Sequence, residues 1–355
     1  MTRVLALTKY DRAGPSSRVR TYQFLPQLEA AGLDVTVQPL FGDSYVETLY
    51  REGRRDRTRM ARSYLRRLGT VLNPPPHDVV WVEKEVFPWL PSLLEGVVTA
   101  RLGPIVADYD DAIFHNYDLH RRGVVRAVLG RKIDAVMRRA ALVVAGNRYL
   151  AERAKKASAR RVEVLPSVVD VADYPVASHG PSEQVAIGWI GSPSTAHYVQ
   201  LLKGPLAELQ ARRGVRLALI GSGPVDLSPV RPDIVPWSEE RQGADLAALD
   251  IGVMPLLDSP WERGKCGYKI IQYMAAGLPV VASAVGANVD IVEDGVTGFL
   301  VNSEADWLSA LERLAADPDL RARMGAAGRK VAEARFSSTA VGARLAELLK
   351  DVARD

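Results

Sequence analysis

The chain has 355 residues, 47% hydrophobic and 25% charged, an ordinary globular composition with length for two domains. Forty-six Lys+Arg against 42 Asp+Glu leave a formal charge of +4, too mild and too mixed to require a nucleic-acid partner. One cysteine, Cys266, excludes an internal disulfide framework or a Cys-based zinc cluster, and five scattered histidines argue against a structural metal. No apolar run reaches the roughly 18 residues of a spanning helix, and the hydrophobic stretch after Met1 is too short for a signal peptide, so a cytoplasmic location is expected.

Short β-rich apolar runs alternate with stretches of helical period, the pattern of a parallel sheet covered by helices on both faces. The spacing predicts strands over Arg3–Leu7, Asp34–Pro39, Val79–Val82, Pro104–Ala107, Leu142–Ala145 and Val162–Leu165. Helices are expected over Ser17–Ala31, Arg57–Leu72, Val125–Ala140 and Arg148–Ala157. Tyr174–Gln184 loses all periodicity and gathers Pro, Gly, Ser and His, so it reads as a linker, with a hinge near Asp170–Gln184. The pattern restarts with strands over Val185–Ile190, Leu217–Ile220, Ile234–Val235, Ile251–Pro255, Pro279–Ser283 and Gly298–Val301. Its helices fall near His197–Arg212, Ser238–Ala248, Tyr268–Ala276 and Ala305–Ala316. A last helix, Ser337–Ala353, repeats Val341, Leu345, Leu348, Leu349 and Val352 at helical spacing, so one face must be buried. The expectation is two α/β domains, 1–172 and 173–335, with the largest cleft between them and ligands at the carboxyl ends of the strands.

The densest segment runs from Trp261 to Val301. Gly264, Gly267 and a helix starting near Tyr268 make a glycine-bearing turn into a helix N-terminus, whose free amides suit an anion. Lys265 and Lys269, four residues apart, would add two ammonium groups fit for a diphosphate; the alternative is an ordinary capped helix with solvated lysines. QYMAAGLPVVAS (Gln272–Ser283), followed by Gly286 and IVEDGVTGFLV (Ile291–Val301), resembles the donor-site signature of glycosyltransferase family 4, retaining enzymes of the GT-B fold. The resemblance extends to the glycine loop at Gly14, AGNRYLAERA (Ala145–Ala154), LIGSGP (Leu219–Pro224) and a C-terminal helix beginning near Phe336.

This resemblance implies two Rossmann-like doubly wound domains facing a central cleft, with residues 336–355 crossing back to the first domain. It implies a nucleotide-diphosphate sugar as co-substrate, with no other cofactor and no metal, and a glycan, lipid-linked or small-molecule acceptor. Donor contacts fall on Gly191, Ser192, Ser194, Lys265, Cys266, Gly267, Tyr268, Lys269 and Gln272. Two departures stand out. The family's pair of glutamates eight positions apart is here Gly264 and Gln272; Gln272 keeps an oxygen able to accept a ribose hydroxyl, whereas Gly264 has no side chain and Glu262 is the nearest substitute. The family's Gly-then-Arg-and-Lys loop after the first strand of the second domain is here Gly191-Ser-Pro-Ser-Thr-Ala-His197, so Lys265 and Lys269 are expected to replace the missing cations.

In the first domain, Gly14–Phe24 places Arg18 and Arg20 at the start of a helix, where one can hold a phosphate or an acidic acceptor; a surface role fits Arg20 better. Asp108, Asp110 and Asp111 follow a buried-looking strand, where close carboxylates repel unless a cation or hydroxyls answer them. In the family a histidine near the reacting sugar often ends this strand, which makes Asp110, Asp111 and His115 the catalytic candidates; helix capping is the alternative. Glu83, Lys84 and Glu85 end another strand, with Lys84 on the acceptor or phosphate side together with Gly14 and Arg18, unless the charges form only a solvated edge.

Segments 51–68 and 120–139 are strongly basic, with eight arginines in the first. Either can lie on an anionic membrane, or can pack its apolar side on its own sheet while its arginines stay in water. Neither interleaves the aromatics of a nucleic-acid platform. A Rossmann oxidoreductase would carry G-x-G-x-x-G after the first strand, and Tyr10-Asp-Arg-Ala-Gly-Pro15 does not. The expected function is a retaining glycosyltransferase; a nucleotide-sugar epimerase and a catalytically silent nucleotide-sugar-binding protein are the alternatives.

Overall fold

The structure, a computed structural model, describes residues 1–52, 56–180 and 184–354. It contains two compact units. The first comprises Met1–Val168, Gly264–Cys266 and the C-terminal helix Ser338–Arg354; the second comprises Val169–Arg263 and Gly267–Ser337.

The first unit is built on β1 (Thr2–Tyr10), β2 (Leu33–Phe41), β3 (Val79–Glu83), β4 (Ile105–Tyr109), β5 (Leu142–Ala145) and β6 (Val162–Val164). They form one parallel sheet in the order β2-β1-β3-β4-β5-β6. Alternate residues point to opposite faces. Val4, Ala6, Val79, Trp81, Val106 and Val144 face one core, whereas Leu5, Leu7, Val80 and Val82 face another with Val71 and Leu102. Burial on both faces is why the central strands β1, β3 and β5 read as apolar runs.

The second unit holds β7 (Ala186–Ile190), β8 (Arg216–Ile220), β9 (Asp233–Val235), β10 (Ile251–Met254), β11 (Val280–Ser283) and β12 (Gly298–Val301). Their order, β12-β11-β10-β7-β8-β9, is again all parallel. In each sheet the chain reverses its direction of winding beside the first strand, between β1 and β3 and between β7 and β10. The loops leaving those strands therefore open into the crevice where such sheets bind ligands.

The expected strands are all present, whereas several helices differ. Ser17–Ala31 is broken into Pro15–Arg20, a 3₁₀ turn Tyr22–Phe24 and Leu25–Ala30, because Pro26 removes a donor and crowds the preceding turn. Val125–Ala140 is interrupted at Gly130, a poor helix former, into Gly123–Leu129 and Lys132–Arg139. His197–Arg212 begins as a 3₁₀ helix, Ala196–Leu202, before Lys203–Arg213, and Ser238–Ala248 shortens to Gln242–Ala247. Helices Ser92–Thr99 and Pro318–Arg335 were not expected, although Asp317 followed by Pro318 is a start signal and Asp317 accepts from the Leu320 N–H.

Residues 181–183 of the expected linker, and 53–55 of the first basic segment, lie outside the described residues. Part of the remaining linker is packed: Tyr174 and Ala177 are buried, the Ala177 N–H donates to the Ala276 carbonyl at 2.9 Å, and His179 bonds the Gly277 carbonyl at 2.7 Å, while Pro175, Val176 and Ser178 are exposed. In Arg57–Leu72, Arg67 does not stay in water but donates to the Thr8 and Gln38 carbonyls at 2.6 and 2.7 Å. Among the described residues no helix is long and apolar enough to cross a membrane.

Ser338–Arg354 buries Val341, Leu345, Leu348, Leu349 and Val352 in the first unit's core, with Gly342 set close against Phe24 and Gln27. Leu349 is fully buried. Leu349→Ala should destabilise this unit by about 2–5 kcal/mol, read as a lower urea midpoint; an unchanged midpoint would remove the helix from its core.

Candidate active site

At the carboxyl end of β3, Glu83 is followed by Lys84, whose φ of +68° is a left-handed backbone that few side-chain-bearing residues adopt. The Lys84 N–H still donates to the Asp108 carbonyl at 2.8 Å, extending the pairing of β3 with β4. Its side chain is buried with its ammonium among oxygens: 2.8 Å from Asp110, 3.8 Å from both Asp111 and Glu83, and donating to Ser16 Oγ at 2.7 Å. Ser16, in the first turn of the helix Pro15–Arg20, donates to Glu83 at 2.6 Å and lies 3.1 Å from Asp110. Glu83 also accepts from Ser17 Oγ at 2.5 Å and the Lys9 N–H at 2.9 Å. The alternative of a solvated edge at Glu83 and Lys84 does not hold: they belong to a buried network joining the ends of β1, β3 and β4.

Burial works against the Lys84 ammonium, but Asp110, Asp111 and Glu83 outweigh it and raise the pKa. Burial likewise works against the Asp110 carboxylate, and Lys84 prevails, holding it below the usual range. Asp111, the more exposed of the two, is raised by burial and by the charge of Asp110. Beneath them Asp108 is paired with Arg20, both about 2% exposed. Arg20 donates to one Asp108 oxygen from Nε at 3.0 Å and Nη2 at 2.6 Å, and to the Leu165 carbonyl at 3.0 Å, while Trp81 Nε1 reaches the other oxygen at 3.3 Å. Burial lifts Asp108 to about 6 despite Arg20. Arg20, expected at the surface, is therefore the buried counter-ion of Asp108; position in a helix does not reveal which face meets the sheet.

Gly264–Cys266 belongs to this unit. Asn147, which caps the helix Arg148–Lys156 by accepting from Leu150, donates its amide to the Lys265 carbonyl at 3.0 Å. The Cys266 thiol donates to the Asp110 carbonyl at 3.0 Å, and burial keeps it protonated. A Cβ on Gly264 would fall 2.3 Å from Ala112 Cβ and 2.8 Å from its backbone nitrogen. The position that carries a glutamate in the resembled family has no room here for any side chain. Lys265 precedes the helix Tyr268–Ala275 rather than lying on it, so it is not a helical i,i+4 neighbour of Lys269.

His115 is joined to neither Lys84 nor Asp110; its ring nitrogens meet Asp118 at 2.7 Å and the Tyr149 hydroxyl at 2.8 Å. Gly14 caps the helix Pro15–Arg20 without a side-chain bond, and Arg18 is buried in that helix. Ser16, Ser17 and Trp81 were missed because their roles appear only when three separate strand ends meet.

In the second unit, Gly191 leaves β7 with its N–H bonded to the Ile220 carbonyl at 2.9 Å. A Cβ there would collide with the Trp189 ring at 2.3 Å and with Lys269 Cε at 2.8 Å. The Lys269 stem thus packs beside bare backbone, and its ammonium lies 5.2 Å from the Trp189 ring centre. Ser192 and Ser194 share a 2.8 Å bond in the same loop. Gly267 (φ +64°) precedes Tyr268–Ala275, whose N-cap makes no side-chain bond. Buried Gln272 donates to the Tyr174 hydroxyl and Gln242, each at 3.1 Å. Glu262, the substitute considered for the missing glutamate, accepts from Tyr198 at 2.5 Å and from Ser259.

The fold matches solved structures over essentially its whole length. Anabaena HepE in complex with UDP-glucose aligns with a TM-score of 0.72 at 16% identity, over 99% of this chain and 100% of that one. The architecture is GT-B. Residues 184–317, most of the second unit, match the family described as Glycosyl transferases group 1. A D-inositol 3-phosphate glycosyltransferase of Stackebrandtia nassauensis is 36% identical over 111 residues, 30% of this chain and 24% of that protein. An α-D-kanosaminyltransferase of Streptomyces kanamyceticus is 26% identical over 190 residues, 49% of this chain and 47% of that protein. The matches thus span half or less of these relatives' length. The match over residues 184–317 agrees with the resemblance carried by Gln272–Ser283 and Ile291–Val301.

Two substitutions test this geometry. Arg20→Ala leaves Asp108 as a buried, uncompensated carboxylate and should cost about 3–5 kcal/mol, whereas Arg20→Leu with Asp108→Leu should regain most of it in urea unfolding. Equal losses in both would contradict the pairing. Gly264→Ala forces a methyl into Ala112 and should cost about 1–3 kcal/mol; a Gly264→Glu protein as stable as the parent would show that the site has room.

Proposed function

We propose that the chain is a glycosyltransferase that uses a nucleotide-diphosphate sugar and retains the donor's anomeric configuration. The group 1 match over residues 184–317 carries the reading, because that segment contains the Gly191 loop, Lys269 and the Tyr268–Ala275 N-terminus. HepE, of the same fold, has been solved with UDP and with UDP-glucose. In this reading the donor diphosphate lies on the second unit against Lys269 and the amides of Gly267–Lys269. Negative charge develops on the leaving diphosphate as the glycosidic bond breaks, and a fixed ammonium with helix N–H groups stabilises it. Ser192 and Ser194 complete the donor contacts on this unit, and Gln272 holds the nucleotide ribose; Lys265 belongs to the first unit.

The first unit binds the acceptor. Its cluster brings Glu83, Asp108, Asp110 and Asp111 together with Arg20 and Lys84, and the charges of Lys265 and Lys9 also act on Asp111. Carboxylate oxygens beside a serine hydroxyl suit the hydroxyl groups of an acceptor. Asp110, held ionised by Lys84, is a weak base that positions the acceptor hydroxyl. Asp111, with its raised pKa, is better matched to taking the proton.

A thermal-shift series with UDP, GDP, TDP and ADP sugars should show stabilisation by one base class. Lys269→Ala should weaken that binding roughly ten- to hundred-fold, from the loss of a charge-assisted bond worth about 1.5–3 kcal/mol. Unchanged affinity would remove Lys269 from the donor site. Tight binding without transfer to any acceptor would favour a silent binding protein, and product formed from the nucleotide sugar alone would favour an epimerase.

A base must be deprotonated to act, so kcat/KM should rise with pH through the elevated pKa of Asp111, placing its acid limb above the ordinary carboxylate range. Asp111→Asn should abolish that limb, whereas Asp110→Asn should lower turnover and leave donor affinity near its original value. A limb surviving in Asp111→Asn would reassign the base.

A further inference from the structure

Trp89, beyond β3, has φ +65°, a left-handed backbone on a bulky aromatic residue. Such a conformation persists only where its surroundings over-determine it. Here the Trp89 N–H donates to the Tyr117 hydroxyl at 3.0 Å, and Tyr117 donates to Glu85 at 2.8 Å. Fully buried Lys132 bridges Glu85 and Glu95 and donates to the Phe87 carbonyl. A buried charged network thus fixes a strained tryptophan whose indole is 50% exposed.

The indole stands edge-on to Tyr117 at 5.2 Å and His120 at 5.8 Å, which ties the turn before the helix Ser92–Thr99 to the segment that leads into the helix Gly123–Leu129. The helix Ser92–Thr99 presents Leu93 and Val97, 80% and 77% exposed, with Leu94 beside them. Across Trp89, Leu119, Val124 and Val128 are each more than half exposed. Arg139 reaches Gly96, and Arg121, Arg122, Arg126, Arg131 and Arg138 are exposed along the same stretch. Its acids are spoken for: Asp118 and Asp134 bind Arg153, and Glu95 is buried on Lys132. A cleft of about 430 Å³ beside it is lined by Arg126, Arg131, Arg153 and Lys156 with Asp118 and Asp134.

We propose that the surface formed by Trp89, Ser92–Thr99 and Leu119–Arg131 docks the protein on an anionic phospholipid bilayer. Aliphatic side chains enter the acyl boundary, Trp89 sits at the interface, and the arginines meet headgroup phosphates. A nucleic acid would leave the aliphatic ridge in water and would call for several stacking aromatics where there is one. A second copy across a two-fold axis would bring the arginine rim against itself. The apolar ridge on Ser92–Thr99 is absent from the two basic segments singled out in the sequence, and segment 51–68 is not needed.

The full chain should co-sediment with phosphatidylcholine vesicles containing about a third phosphatidylglycerol at least tenfold more than with phosphatidylcholine alone, and less so at high salt. Leu93→Glu with Val97→Glu should lower retention about tenfold with unchanged circular dichroism and Tm. Arg121→Ser with Arg122→Ser should weaken it roughly fivefold per arginine and flatten the salt dependence. No retention, equal retention on both vesicles, or retention untouched by both variants would overturn the proposal. So would self-association or RNA binding that the Leu93/Val97 variant abolishes. These readouts involve no sugar nucleotide, so they stand or fall apart from the transferase reading.

Discussion

The first unit's functional end depends on one buried ammonium. Lys84 holds Asp110, Asp111 and Glu83 within 4 Å of a single charge, and those acids sit at the ends of β3 and β4 while Ser16 brings in the helix Pro15–Arg20. Carboxylates gathered without that charge would repel and take up protons. Its left-handed backbone is part of the same arrangement, since it turns the side chain inward while its N–H completes a ladder bond. Arg20 does the equivalent one layer deeper for Asp108. Charge pairing, not packing, fixes where these oxygens point.

The two units divide the chemistry by sign. The first concentrates carboxylates around hydroxyl donors, and the second offers a lysine over an indole beside bare backbone. Under the proposed function the first would meet hydroxyl groups and the second an anion. The missing glutamate at Gly264 follows from packing: Ala112 occupies the volume a side chain would need.

Much of the fold was legible in the sequence because the central parallel strands, buried on both faces, are apolar runs, while β6 and β9, partly exposed, were placed as short β-rich runs. Helix interruptions at Pro26 and Gly130 were less legible, since helical periodicity continues across them. In the sites, Lys84, Asp110, Asp111 and Lys269 were visible as charged residues at strand ends or at a glycine turn. Their partners were not. Ser17 meets Glu83 across 66 positions, and Arg20 meets Asp108 across 88, separations that carry no local pattern. Lys265 and Lys269, only four residues apart, belong to different compact units, Lys265 lying before the helix that carries Lys269. The exposed ridge at Leu93 and Val97 went unread because an isolated apolar pair on a short helix resembles core.

The first unit is discontinuous, and this has a consequence for biosynthesis. Residues 1–168 can pair all six strands, yet the apolar face formed by Val4, Ala6, Trp81 and Val106 is completed only by Ser338–Arg354. On the ribosome that face waits uncovered while the second unit, an uninterrupted stretch but for Gly264–Cys266, is synthesised and can fold. The N-terminal half therefore emerges first and matures last. During that interval it is a natural client for chaperones that shield apolar sheet surfaces, and a nascent chain stalled before residue 338 presents an adhesive face to its neighbours.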